Sequence, residues 1–218
     1  MNIYSLNPEI TEEAVPVQLG RKERHRLLRK ADIIAAAEHV FALKGYHKAT
    51  IQDIARQAQY ATGTVYLYFE DKNSLYFSII EEKIRELLRI LIAKIAQVKG
   101  ARLKLGTFIY ESLRFFEMNK DFFRIFIQEE SSLSIKSKLA KSPVASKRRE
   151  MFNALIKEAQ SEGLVRRDIE TTQIKELLES ILVSFAFNWW KEPSGQEKDL
   201  KGMTAIILDL FLNGAKKR

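Results

Sequence analysis

Residues 49–75, ATIQDIARQAQYATGTVYLYFEDKNSL, decide the fold of this chain. Ile51, Ile54, Ala55 and Ala58 recur at i, i+3, i+4 and i+7, the apolar stripe of a short amphipathic helix. Thr50 precedes that stripe, where a hydroxyl can cap the free amides of the first turn. After a linker of Gln59 to Ala61, a second short helix is expected from Thr62 to Phe69, with Val65 and Phe69 turned toward the first. Thr62, Gly63, Thr64, Tyr66 and Leu67 are then left on the opposite side. Small and hydroxyl-bearing residues there let a helix backbone approach a major groove, and Tyr66 and Tyr68 can donate to phosphate oxygens. The stretch reads as a helix-turn-helix.

Paired short helices are common in all-helical domains that touch no nucleic acid, so the particular string matters. Thr50, Ile54, Ala55, Ala58, Gly63, Tyr66, Tyr68, Phe69, Lys72 and Leu75 fall at the spacing T-x3-I-A-x2-A-x4-G-x2-Y-x-Y-F-x2-K-x2-L. Upstream, Ile33, Ile34, Ala37 and Phe41 are followed by Lys44, Gly45 and Tyr46, a helix closed by a glycine–aromatic turn. Over residues 28–80 the chain resembles the DNA-binding domain of the TetR/AcrR family of bacterial transcriptional regulators. The resemblance implies that Thr62, Thr64, Tyr66 and Leu67 face base edges, with Gln52 reaching an adenine and Gly63 on the same DNA-binding side. It also implies that Thr50, Tyr68, Lys72 and a basic arm hold phosphates.

The chain departs from the family pattern at the turn, where Gln59, Tyr60 and Ala61 replace a glycine, a small aliphatic residue and a serine. Gln59 is expected to adopt a left-handed conformation at a cost of about 1 kcal/mol. With no hydroxyl at Ala61, Thr62 is expected to cap the second helix one residue later, and no DNA contact is carried onto Ala61.

Composition bounds the rest. A chain of 218 residues, 46% of them apolar, can bury a real core and suits one small domain plus one larger one. Cysteine is absent, so disulfides and thiol chemistry are excluded, which fits a reducing, cytoplasmic setting. Residues 1–20 have no apolar signal-peptide core and read as a tail, and the apolar run LLRILIAKIAQV is broken by Arg89 and Lys94, so no membrane span is expected. The net charge of +8 is concentrated in residues 21–30, RKERHRLLRK, which carry +5, while residues 1–20 carry −3. Standing before the helix-turn-helix, that stretch reads as an arm neutralising phosphates.

Helical periodicity continues to the C-terminus. A first helix is expected over Leu27–Leu43 and a long connecting helix from Lys72 to about Val98, close to 40 Å at 1.5 Å per residue. Further helices are expected over 101–118, 120–132, 143–162, 171–191 and 198–213, with breaks at Asn119, the serine-rich 131–142, Gly163 and Pro193–Gly195. The expected fold is all-α with about nine helices. It comprises a tail (1–20), a three-helix DNA-binding domain (21–71) and a helical ligand-binding and dimerisation domain (72–218).

Aromatic residues crowd the larger domain, and pockets between bundle helices commonly take small apolar ligands. The resemblance implies such a pocket, holding a small-molecule effector that weakens DNA binding. Phe108, Phe115, Phe126, Phe152 and Trp189 are candidates to line it, with Glu111 or Asn188 as polar contacts. Each of these residues is also explained by ordinary packing or exposure. Ile174, Leu178, Ile181 and Phe185, and Met203, Ile207, Leu210 and Phe211, form two helical stripes. Either faces its own core or joins the symmetric four-helix homodimer interface that the resemblance implies. A second basic run, Lys136, Lys138, Lys141, Lys147, Arg148 and Arg149, reads as a solvated face or as a landing site for an anionic head group such as that of an acyl-CoA.

Catalysis is not expected. There is no glycine-rich phosphate loop, and His25, His39 and His47 lack metal-ligand spacing, so neither metal nor cofactor is expected. The function these readings imply is a dimeric, ligand-responsive repressor binding a palindromic double-stranded operator. The alternative is a DNA-binding protein of the same fold that acts in chromosome organisation or division through a protein partner.

Overall fold

The computed structural model describes residues 20–128, 140–191 and 199–215. Within them the chain forms nine α-helices and no strand: α1 (Arg21–Lys44), α2 (Ile51–Gln57), α3 (Thr62–Tyr66), α4 (Lys72–Ile95), α5 (Ala101–Met118), α6 (Lys120–Gln128), α7 (Pro143–Ser161), α8 (Thr171–Lys191) and α9 (Leu200–Ala215). The expected tail, apart from Gly20, lies outside the described residues, as does the serine-rich break up to residue 139. The all-α expectation holds throughout the described chain.

Two compact units meet between Tyr76 and Phe77, five residues beyond the expected boundary at Asp71. The reason is visible in the first turn of α4. Leu75 and Tyr76 are buried, and the Tyr76 ring stands 5.7 Å from Phe41 and 5.1 Å from Tyr46. These edge-on aromatic contacts make the start of α4 part of the N-terminal head.

In the head, α1 supplies the floor. Ile33, Ala36, Ala37, Val40 and Phe41 recur every three or four positions and are buried, closed over by Ile51, Ile54 and Ala55 of α2 and Val65 of α3. α1 starts at Arg21 rather than Leu27, so the basic arm is helical. Arginine, lysine, glutamate and leucine are all good helix formers, and the helix extends beyond its apolar stripe with Leu27 and Leu28 exposed. Gly45 ends it at φ 75°, its amide donating to the Phe41 carbonyl at 2.9 Å.

The C-terminal unit is organised around α5, which packs against α6, α7, α8 and α9. Leu105, Ile109 and Leu113 of α5 are buried with Phe123, Phe152, Ile156, Leu178, Ile207 and Phe211. The start of α5 is capped from a distance, since the Ala101 amide donates to both carboxylate oxygens of Glu162 at 3.0 and 3.1 Å. A negative charge there also complements the positive end of the helix dipole. Lys104 and Glu158, 2.7 Å apart, add a second tie between α5 and α7. α4 stops at Ile95, three residues before the expected Val98, and Ala96–Val98 form a hydrogen-bonded turn. No described helix is long and apolar enough to cross a membrane.

Candidate nucleic-acid interface

α2 begins with a reciprocal cap. The Thr50 hydroxyl accepts from the Asp53 amide at 3.1 Å, and the Asp53 carboxylate accepts from the Thr50 amide at 3.3 Å and from its hydroxyl at 2.8 Å. Such a box satisfies amides the helix itself leaves free and is worth about 1 kcal/mol. Asp53 also meets Lys44 at 2.7 Å and Arg56 at 3.7 Å. The hydrogen bond to Lys44 and then that to Thr50 hold its carboxyl near pKa 2, below the ordinary 3.8. The T-x-x-D spacing of Thr50 and Asp53 is the sequence signal of this cap, and it lies beside the apolar stripe rather than within it.

The turn between α2 and α3 carries the expected strain, with Gln59 at φ 59°. Its neighbour Tyr60 explains how the turn is held. The Tyr60 hydroxyl donates to Asp32 of α1 at 2.8 Å, and the Tyr60 amide donates to the Ala55 carbonyl at 2.9 Å. A tyrosine thus anchors the turn to α1 where the family pattern has a small aliphatic residue.

α3 is shorter than expected, five residues ending at Tyr66, with Leu67 as its C-terminal cap. Leu67 keeps helical dihedrals, and the Phe69 amide donates to the Val65 carbonyl at 3.0 Å, so Phe69 still reaches the core through a closing turn. The expectation that Thr62 caps α3 is not met. Ala61 occupies the cap position in an extended conformation, without a side-chain hydrogen bond. Val65 and Phe69 face inward; Gly63, Tyr66 and Leu67 face solvent, and Thr62, Thr64 and Tyr68 are half-buried. Gln52 is exposed on α2.

Two residues expected to hold phosphates have their hydrogens committed elsewhere. Lys72 donates to the carbonyls of Tyr46, His47 and Ala49 at 2.8, 3.3 and 3.1 Å, and its ammonium lies 4.4 Å from the centre of the Tyr46 ring. An ammonium has three hydrogens, so this lysine is a clamp between the start of α4 and the α1–α2 turn. Tyr46 completes the clamp by donating its hydroxyl to Asn73. The single hydroxyl hydrogen of Thr50 goes to Asp53. Arg21, Lys22, Arg24, Arg26, Arg29 and Lys30 are all exposed. Arg26 pairs with Glu23 at 3.2 Å, and Lys30 lies 5.8 Å from the Phe69 ring.

Gly63 is informative because nothing inside the protein requires it. It sits in α3 without a positive φ, and a Cβ built there meets no atom within 4 Å. A glycine inside a helix is disfavoured against alanine by up to about 1 kcal/mol. Neither backbone conformation nor close packing within the described residues thus accounts for a glycine at this position.

In the C-terminal unit several expectations change. Phe108 and Phe152 stack edge to face at 5.5 Å, Phe115 packs on Phe122, and Phe122 packs on half-buried Phe126, so these rings fill one another's space as core. Asn188 is exposed, and the side chain of Trp189 lies outside the described residues. Glu111 is 7% exposed and 3.8 Å from Arg114. A polar atom that the sequence did not reveal is Asn153 Oδ1 on α7, buried and without a hydrogen-bond partner among the described residues. Of the second basic run, Lys136 and Lys138 lie outside the described residues, Lys141, Lys147 and Arg149 are exposed, and Arg148 is 3.7 Å from Glu179 of α8.

The two association stripes are mostly internal. Ile174, Leu178, Ile207 and Phe211 are buried in their own unit, and Ile181, Phe185 and Met203 pack partly against the same core. Leu210 alone of that set is more than half exposed, joined by Leu177 and Ile206, each about half exposed. The stripe of strongest periodicity marks the core, and Leu177, Ile206 and Leu210 lie outside it.

The family model for "Bacterial regulatory proteins, tetR family" matches residues 33–79. The chain is similar to the fatty acid metabolism regulator protein of Bacillus subtilis (strain 168), 24% identical over 84% of this chain and 93% of that protein. It also shares its fold with the fatty acid degradation regulator FadR of Bacillus halodurans, at a TM-score of 0.74 and 22% identity, covering 84% of this chain and 98% of the other. The FadR of Bacillus subtilis solved in complex with stearoyl-CoA superposes at a TM-score of 0.73 and 24% identity, with the same coverage.

Two outcomes follow from this geometry. Because the Asp53 carboxyl is held low, its contribution to stability is present above its ordinary value near 3.8 and disappears as pH falls toward 2. In thermal melts the wild type should exceed Asp53→Asn at neutral pH, with the gap closing between about pH 4 and 2; a gap independent of pH would contradict the ion-paired cap. Gly63→Ala should leave the melting temperature unchanged or raised while lowering affinity for specific DNA about tenfold, or about 1.4 kcal/mol. Equal affinity in a binding titration would show that no partner needs the bare backbone.

Proposed function

We propose that this chain, which belongs to the TetR family of bacterial transcriptional regulators, acts as a homodimeric repressor that holds a palindromic operator until a long-chain acyl thioester binds. It is a DNA-binding regulator rather than an enzyme. The observation that carries the reading is the division of α3 and its closing turn into a buried side of Val65 and Phe69 and an outward side of Gly63, Tyr66 and Leu67. On this reading Thr62, Thr64, Tyr66 and Leu67, with Gln52, meet base edges. Tyr68 and the exposed cations of α1 meet phosphates and set register. Lys72 and Thr50 act by holding the head in shape.

The effector class rests on the similarity to the Bacillus subtilis fatty acid metabolism regulator across most of both chains. Within this chain it is supported by Asn153 Oδ1, a buried acceptor without a hydrogen-bond partner among the described residues. Lys147 and Arg149 are exposed cations for a phosphorylated head group. Release requires the effector to prefer one conformation. The path is α4, whose first turn belongs to the head and whose Lys72 grips the carbonyls of the α1–α2 turn. A coupling of about 1–3 kcal/mol lowers operator affinity about 5- to 150-fold. Dimerisation through the exposed side of α8 and α9 sets two reading heads roughly 34 Å apart for successive half-sites. A cytoplasmic location accompanies this role.

Selection from random duplexes with the purified chain should recover a palindrome whose affinity falls steeply with salt. Replacing Arg21 and Lys22 together by alanine should reduce the slope of log affinity against log salt by about 2 without altering the preferred sequence. Tyr66→Ala should lose that preference. Stearoyl-CoA should release the operator about 5- to 150-fold, while stearate or coenzyme A alone should not. Recovery of no preferred sequence would overturn the regulator's site, whereas release by none of the three would overturn only the effector class. The joint substitution Ile206→Glu and Leu210→Glu should give monomers by light scattering with the helical spectrum retained; a persistent dimer would place the interface elsewhere.

A further inference from the structure

Leu67 carries a more specific message than its neighbours. It is 82% exposed, more than any other large apolar side chain among the described residues. It keeps helical dihedrals at the end of α3, so it points about 200° around the helix from Val65, which is buried in the core. It stands on the outward side of the helix, beside Tyr66.

Leucine can neither donate nor accept a hydrogen bond. On the outward side of a reading helix it therefore cannot recognise phosphates, or the nitrogen and oxygen atoms on base edges. The major-groove edges of the four bases carry one apolar substituent, the C5-methyl group of thymine. Gly63 lies four residues before Leu67, and its carbonyl accepts from the Leu67 amide at 3.3 Å. Residues four apart share one face of a helix. The missing side chain of Gly63, with open space where its Cβ would stand, thus leaves a notch next to an apolar wall on that face.

Resting on the reading of α3 as the base-contacting helix, we infer that the notch over Gly63, walled by Leu67, takes a thymine methyl group, so that each half-site of the operator carries an obligatory thymine. Thr64 and Tyr66 read by hydrogen bonds, and Leu67 reads by shape and burial alone. The thymine is recognised by its methyl group, so the distinction is between thymine and uracil as much as between thymine and the other bases.

The test uses the full chain and the duplex recovered by selection, with each thymine replaced singly by deoxyuridine, which deletes the methyl and keeps every hydrogen-bonding group. One position per half-site should lose about fourfold in affinity, the worth of one buried methyl. Leu67→Ala should bind the thymine duplex more weakly and no longer distinguish it from the deoxyuridine duplex. Since Leu67 is exposed, this variant folds, and its helical spectrum and melting temperature serve as controls. Gly63→Ala, which fills the notch, should likewise lose the discrimination. If the wild type tolerates deoxyuridine at every position while still preferring its operator, the inference is overturned and the regulator reading stands. If Leu67→Ala remains equally sensitive at the same position, another residue reads the methyl and the inference is again overturned. If selection recovers no preferred sequence, the regulator reading falls and this inference with it.

Discussion

A five-residue helix has no stability of its own in water, since the unfavourable first turn is barely followed by any propagation. α3 exists because Val65 is fully buried against the head and Phe69, through the closing turn, is held there too. Everything on the outward side is positioned by those two anchors. The rest of the head serves the same end: α1 provides the floor, the Thr50–Asp53 cap begins α2 at the right residue, and Tyr60 pins the turn. The outward side chains are thereby free to be chosen for what they touch outside the protein.

Charge in the head is used in two ways. Arg21, Lys22 and Arg24 lie in the first turn of α1, at the positive end of a helix whose N-terminal position, Gly20, offers no side-chain cap. Isolated cations there are unfavourable, so anions arriving at that end relieve an existing cost. Lys72 is the opposite case. It is surrounded by carbonyl oxygens and an aromatic face, and its charge is spent on joining the first turn of α4 to the α1–α2 turn.

How much was legible in the sequence follows from the range of each interaction. The helices were legible because periodicity and helix-ending glycines are local, and α5 and α8 fall on their expected residues. The strained Gln59 was legible because the turn geometry is fixed by its neighbours in the chain. The roles of Lys72 and Tyr60 were not, since their partners lie 23–28 positions away. Of the two readings of the C-terminal stripes, the core accounts for Ile174, Leu178, Ile207 and Phe211, whose strong periodicity reflects burial in their own unit. Leu177, Ile206 and Leu210, about half exposed, carry a weaker pattern because they lie outside that core. Similarly, phenylalanines that fill one another's space cannot be told from pocket walls by composition.

The hydrogen bond from Tyr60 to Asp32 joins the turn before α3 to the same helix that carries the basic stretch. The basic stretch and α3 are therefore mechanically joined within the head. On the reading proposed above, a phosphate seated at the front of α1 would fix the angle at which α3 meets the base pairs, and a change of groove width at the flank would be felt at the centre of the half-site. Flanking sequence that α3 never reaches can then grade the strength of one operator against another through the shape of its backbone.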